Sequence, residues 1–196
     1  MRLSIQILCT VTSLTVCGAI LSPSAADEPV APFDPMVFFD GHTLSRGVVE
    51  DRSGAPTEEI TTESHASIDA ANRLHMEQHL IFRDGKAQNR TWTVWRTGPH
   101  RFAANASDMV GTATGETHGR MFHWQWVLAR SPGNPLMNVT MEQWMYGLDD
   151  GSAMIRTTIG KFGIILAEVT EHFSHPQSEV PPAPPGYGPR AVAPRA

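Results

Sequence analysis

The stretch NRLHMEQHLIFRDGKAQNRTWTVWRT, residues 72–97, decides how the rest of the chain is read. From Asn72 to Phe82 the residues Leu74, Met76, Leu80 and Phe82 fall on one side, with His75, Glu77, His79 and Ile81 on the other. A period of two over that length is a half-buried β-strand, because successive strand side chains point to opposite faces. The strand runs into Arg83-Asp84-Gly85-Lys86, where Asp-Gly is the preferred pair for a two-residue hairpin turn. Beyond it, Ala87 to Thr97 alternates again around Trp92, Val94 and Trp95. A two-residue turn pairs Arg83 with Lys86, and so sets His79 opposite Arg90 and Glu77 opposite Trp92. In that register Glu77 and Arg90 are diagonal neighbours on one face, within reach of a cross-strand ion pair. Leu74, Met76, Leu80 and Phe82 make the more apolar face, so the pair is expected on the solvent side.

The same pattern repeats outward. Candidate strands are Ser45–Asp51, Glu58–Ala66, Arg101–Ala106, Met109–Gly115, Met121–Ala129, Val139–Leu148, Ala153–Ile159 and Ile164–Phe173. Turn chemistry separates them, as at Ser53-Gly54-Ala55-Pro56, Gly98-Pro99, Ser131-Pro132-Gly133-Asn134-Pro135 and Asp149-Asp150-Gly151. No long helical pattern interrupts the run. One helical turn is expected at Asp34–Phe39, with Asp34 as N-cap, Pro35 at the first position and Gly41 ending it. About ten short strands with tight connections make an all-β, antiparallel up-and-down meander, expected to close into a lipocalin-like barrel.

The ends read differently. Met1 and Arg2 are followed by an uncharged, largely apolar run, Leu3 to Leu21, then Ser22-Pro23-Ser24-Ala25-Ala26. That order is a secretory signal, residues 1–26, with cleavage expected before Asp27 and delivery to the periplasm. A second route stays open. Leu14-Thr15-Val16-Cys17 is a degraded lipoprotein box, and acylation of Cys17 would tether the chain to a membrane. Both cysteines, Cys9 and Cys17, lie in this segment, so a product cut before Asp27 has no thiol. Thiolate metal sites, a cysteine nucleophile and a redox role are then excluded. The cut also removes Arg2, taking the formal charge from −5 to −6. With no basic cluster to neutralise phosphates, nucleic acid is not an expected partner. Residues 27–32 read as a linker. Seven of the 21 residues from Pro176 to Ala196 are proline, and this segment carries almost no large apolar side chain, so it reads as an extended tail. The domain is 33–175, a length that suits one core.

These residues resemble the family known as domain of unknown function 3833, often described as lipoproteins. The resemblance runs through Phe33-Asp34-Pro35, Phe38-Phe39-Asp40-Gly41, Gly47, Asp51-Arg52-Ser53-Gly54 and Arg90-Thr91-Trp92. It continues through Asp108–Gly115, Trp144-Met145, Lys161-Phe162-Gly163 and Glu168-Val169-Thr170. It implies a calycin-like barrel in the cell envelope and no established activity. The chain departs from the family pattern at Gln78, where an acid is usual, and at Glu142-Gln143, where two aspartates are common.

No constellation announces chemistry. There is neither a Gly-x-Ser-x-Gly elbow nor a phosphate loop. His75 and His79 stand about 13 Å apart on a strand, too far to share an ion. His118 is expected in a turn, and His172 with His175 lacks a third ligand. Neither a metal nor a cofactor is expected. Asp108 reads first as a turn device that satisfies nearby amides, with a general base as the functional alternative. The candidate ligand-binding residues are the polar set Glu77, Arg90, Arg156, Lys161 and Glu168 with the aromatics Trp92, Trp124, Trp126 and Trp144; Glu142 joins the polar set. If several charged members point inward they form a buried network; if outward, a solvated face. Trp124 and Trp126 share a face and could line a cavity. Three functions follow. The leading one is binding or carriage of a small apolar or amphipathic, lipid-like ligand. The second is an enzyme acting on a lipid or isoprenoid, with Glu77, Arg90, Arg156 or Glu168 in acid–base roles. The third is a scaffold for an envelope protein partner.

Overall fold

Ten strands alternate inward apolar residues with outward polar ones, and each pairs with the strands that precede and follow it in the chain. In the computed structural model they are β1 Gly41–Asp51, β2 Pro56–Ile68, β3 Arg73–Phe82, β4 Ala87–Gly98, β5 Arg101–Ala106, β6 Met109–His118, β7 Met121–Leu128, β8 Val139–Gly147, β9 Ala153–Lys161 and β10 Ile164–Ser174. β1 also pairs with β10, Leu44 to Asp51 against Ser174 to Ala167, and this closes an antiparallel barrel. The structure describes residues 31–131 and 133–176; the expected signal segment, most of the linker and the tail from 177 lie outside them. Closure leaves no sheet edge exposed, which an open ten-stranded sheet would do.

The hairpin that anchored the sequence reading is offset by one residue from its expected register. Phe82 N donates to Lys86 O at 2.9 Å and Gly85 N to Phe82 O at 2.9 Å, so the loop is three residues, Arg83-Asp84-Gly85. The two-residue turn would need positive φ at both Asp84 and Gly85. Only Gly85 has it, at +83°, and this one left-handed residue makes the three-residue loop with its bulge. The pairs become Ile81 with Ala87, Gln78 with Arg90 and Glu77 with Thr91. A slip of one residue turns a strand over. Arg90 therefore points into the barrel and Glu77 out of it, and the expected Glu77–Arg90 ion pair does not form.

One barrel end is plugged. Asp34 Oδ1 accepts from Met36 N at 3.0 Å and Val37 N at 3.4 Å, which caps α1, Pro35–Phe39. Pro35 suits the first turn because its missing N–H would have no intrahelical partner there. Met36 and Phe39 are 1% and 5% exposed, and Phe39 meets Phe173 edge to face with centroids 5.6 Å apart. Phe33 is tied to the rim through Phe33 N to Gly119 O at 2.7 Å and Thr117 Oγ1 to Phe33 O at 2.9 Å. Next to this plug the inward side chains Leu74, Met145, Ile155 and Phe173 are buried. At the opposite end, ringed by the β1–β2, β3–β4, β5–β6, β7–β8 and β9–β10 connections, the inward Val49, Leu80, Phe82, Leu128 and Ile159 are only half-buried. The barrel is closed below by α1 and open above.

Candidate functional site

Between plug and mouth lies a cavity of about 230 Å³. Its wall is mostly aliphatic and aromatic: Leu74, Met76, Val94, Met141, Met145, Ile155 and Val169, with three indoles. Trp92 and Trp124 stack with centroids 5.1 Å apart, and Trp126 meets Trp92 edge-on at 5.2 Å. Offset-stacked and edge-on contacts are the arrangements aromatic quadrupoles prefer.

Polar side chains enter this wall at mid-height. Trp92 Nε1 donates to Gln78 Oε1 at 2.7 Å, and Gln78 Nε2 donates onward to Ser64 Oγ at 3.3 Å. The pattern repeats across the barrel, where Trp124 Nε1 donates to Gln143 Oε1 at 2.6 Å and Gln143 Nε2 to Thr157 Oγ1 at 2.9 Å. Trp126 Nε1 is buried and has no acceptor among the described residues. Arg90 lies over two indoles, its guanidinium carbon 5.6 Å from the Trp92 centroid and 4.9 Å from that of Trp126. Its Nε donates to both oxygens of Asp108 at 2.9 Å, and Nη2 reaches Asp108 Oδ2 at 2.9 Å. The carboxylate of Asp108 thus serves Arg90 and not the turn amides assigned to it from sequence.

Among the described residues the one buried ionisable side chain is Glu171 on β10, 9% exposed. Ser45 Oγ donates to its Oε1 at 2.7 Å and Thr62 Oγ1 to the same oxygen at 3.0 Å. Burial pushes its carboxyl above the ordinary glutamate range; the two hydroxyls and the charge of Arg90 oppose that shift without cancelling it. Its room comes from β1. Gly47 is the register partner of Glu171, and a Cβ there would sit 2.5 Å from Glu171 Cγ. Gly47 is thus a close-approach glycine, without which the acid could not fold inward.

Of the residues proposed from sequence, Arg90, Trp92, Trp124 and Trp126 line the cavity. The others do not. Glu77 is exposed on the outer wall. Trp144 faces outward and stacks on His123 at 3.9 Å. Arg156 and Glu168 pair with each other outside, Nη2 to Oε1 at 2.7 Å, because their strand neighbours Ile155, Thr157 and Val169 take the inward positions. Lys161 stands at the mouth and donates to Leu136 O. Sequence reasoning missed Glu171, Gln78 and Gln143 as lining residues. A signal for Glu171 existed, since it alternates with the apolar Val169 and Phe173. The register shift between Ile165 and Ala167 hid it by changing which residues of β10 share a face.

Three potential metal donors come together outside the barrel, a set not weighed from sequence. His42 Nε2 and His65 Nε2 lie 2.9 and 3.3 Å from Glu63 Oε1, and the rings stack at 4.3 Å. The carboxylate is satisfied by the two rings, all three side chains are solvent-accessible, and none lines the cavity. His118, expected in a turn, ends β6 and pairs with Glu116.

A family model described as "protein of unknown function (DUF3833)" matches residues 11–175. The chain belongs to that family. None of the curated proteins matches this DUF3833 chain. Among solved structures it is similar to the S-type phycobiliprotein lyase CPES from Guillardia theta, at 9% identity and a TM-score of 0.56, over 74% of this chain and 92% of the other. At that identity the likeness establishes a shared barrel fold for this DUF3833 member.

Proposed function

We propose that this chain binds and carries a small, largely apolar ligand in its barrel, in the envelope compartment to which its N-terminal segment would deliver it. The observation that supports this reading is the cavity itself: apolar, walled by three indoles, plugged below by α1 and open above. A barrel serving only as a scaffold has no need of an unfilled, aromatic-walled interior. Of the four side chains given acid–base roles in the enzymatic reading, Glu77, Arg156 and Glu168 stand on the outer wall, and Arg90 is already matched by Asp108. The volume suits a ligand on the order of ten heavy atoms, scaling from a cavity of about 150 Å³ that holds benzene.

The test uses 1-bromodecane, whose heavy atom quenches indole emission on contact. Saturable quenching of Trp92, Trp124 and Trp126 is expected, with a higher unfolding midpoint, because a ligand at 100 times its Kd stabilises the folded state by about 2.7 kcal/mol. Unchanged emission and an unchanged midpoint at saturation would refute the proposal.

A further inference from the structure

The exposed apolar surface of the barrel gathers beside its open mouth. Phe162, Ile164, Ile165 and Leu166 of the β9–β10 hairpin are exposed, as are Leu136 and Met137 of the β7–β8 connection. The two segments meet: Lys161 Nζ donates to Leu136 O and lies 5.4 Å from the Phe162 ring centroid. At the plugged end, exposed apolar side chains such as Val37 and Tyr146 belong to separate elements. In a barrel wall the interior covers every second side chain of a strand, yet Ile164, Ile165 and Leu166 are exposed in succession. The hairpin tip therefore projects beyond the rim with neither face covered. Phe162 at its turn holds φ +51°, which asparagine or glycine adopts readily and a bulky residue does not, and its ring is left almost wholly in water. A side chain that strains its own turn and gains no burial there is expected to serve a contact outside the fold, as a contiguous exposed apolar patch generally does.

Charge selects the partner. Residues 129–138 and 159–167, which carry the patch, contain Arg130 and Lys161 and no acidic residue, in a chain whose net charge is −5. Neither cation meets a carboxylate among the described residues. We infer that the β9–β10 hairpin tip and the β7–β8 connection dock the barrel, mouth first, on an anionic lipid bilayer. Apolar side chains enter the headgroup–acyl boundary, and the two cations stay at the level of the lipid phosphates. A bilayer fits a projecting tip, which offers a protein partner no groove to fill. The patch also adjoins the opening of the apolar cavity, so a ligand passing between cavity and bilayer is spared a crossing through water. The inference goes beyond ligand binding and stands on the outer surface alone.

The experiment is vesicle co-sedimentation of residues 27–196, which retain α1 and all ten strands. One set of vesicles holds equal parts phosphatidylcholine and phosphatidylglycerol, the other phosphatidylcholine alone. Wild type is expected to bind the anionic vesicles, and the neutral ones about tenfold more weakly. Phe162→Asn is expected to bind both about tenfold more weakly than wild type, since taking a phenyl ring out of water is worth at least about that factor. Leu136→Ser, on the other segment and away from the strained turn, should weaken binding similarly. Lys161→Gln should lose about fivefold on anionic vesicles and little on neutral ones. Val37→Ser, an exposed apolar residue at the plugged end, should match wild type on both. Thermal melts separate a lost contact from a lost fold: Phe162→Asn should be at least as stable as wild type, and a purely structural role for the ring does not give a stable variant that fails to bind. Wild type that binds neither vesicle, or both equally, would overturn the inference. So would Phe162→Asn and Leu136→Ser binding like wild type, or Val37→Ser losing as much as they do. A wild type that ignores vesicles but forms a dimer dissociated by Phe162→Asn would assign the patch to a second copy of the chain. Quenching by 1-bromodecane is measured without vesicles, so the carrier reading and this inference can fail separately.

Discussion

Replacing Glu171 with glutamine should change how stability depends on pH while leaving the fold intact. Glu171 is buried, and its pKa is raised above the ordinary 4.5 chiefly by desolvation, against the opposing hydrogen bonds of Ser45 and Thr62. In the unfolded chain the group ionises near its ordinary value. At pH values between the two, the native protein holds a proton that the unfolded chain has released, so rising pH favours unfolding. Stability from this group is complete below about pH 4.5 and declines, by at most about 1.4 kcal/mol per pH unit, until the folded pKa is passed. Glutamine accepts from Ser45 and Thr62 as the acid does, can donate as its hydroxyl does, and does not titrate. Urea denaturation of both proteins at pH 4, 5, 6 and 7 isolates the effect, because every other titrating group cancels in the difference. The variant should be close to wild type at pH 4 and gain on it steadily above pH 5. Parallel stability curves would refute the argument. So would a wild type that gains on the variant as pH rises, which would mean that Glu171 is ionised in the barrel.

Three further outcomes follow from particular contacts. Arg90 is 11% and Asp108 30% exposed, so Arg90→Met or Asp108→Asn alone should cost toward the lower end of the ~3–5 kcal/mol of a broken buried pair, and the double variant should recover much of it in denaturant melts. Phe162 holds φ +51° at the β9–β10 turn with its ring 87% exposed, so Phe162→Asn, a residue this turn favours, should raise stability by about 1 kcal/mol; a lower melting temperature would show that the exposed ring is needed by the fold. Gly47→Ala puts a methyl against Thr170 O and Glu171 Cγ and should destabilise by about 1–3 kcal/mol or more, whereas a neutral result would mean that Glu171 can swing aside.

The architecture was legible in the sequence because one face of nearly every strand is buried, and burial prints a period of two. The ten strands, the Asp34 cap and the Pro35 start all follow from that pattern and from capping chemistry. The site was only partly legible, since its members are decided by register. Asp84-Gly85 favours a hairpin turn, yet whether Asp84 itself takes positive φ cannot be told from the dipeptide, and that one dihedral decides whether Arg90 shares the outer face with Glu77 or turns into the barrel. The same holds in β10, where one irregularity between Ile165 and Ala167 moves the inward acid from Glu168 to Glu171. The tryptophans were easier. Trp92, Trp124 and Trp126 alternate with polar or smaller residues, whereas Trp144 follows Gln143, whose amide is needed inside by Trp124.

The pairing of first strand with last also sets a clock. Ser45 and Glu171, joined by one hydrogen bond, are 126 residues apart. At synthesis rates of about 5–20 residues per second, β1 waits roughly 6–25 s for its partner, and for that time one of its edges has nothing to pair with. Such an edge is a template for other chains. The pocket wall is equally incomplete until then, because its acid arrives on the final strand. A newly made chain therefore has no complete cavity, and is most in need of a chaperone, until nearly all of it has been synthesised.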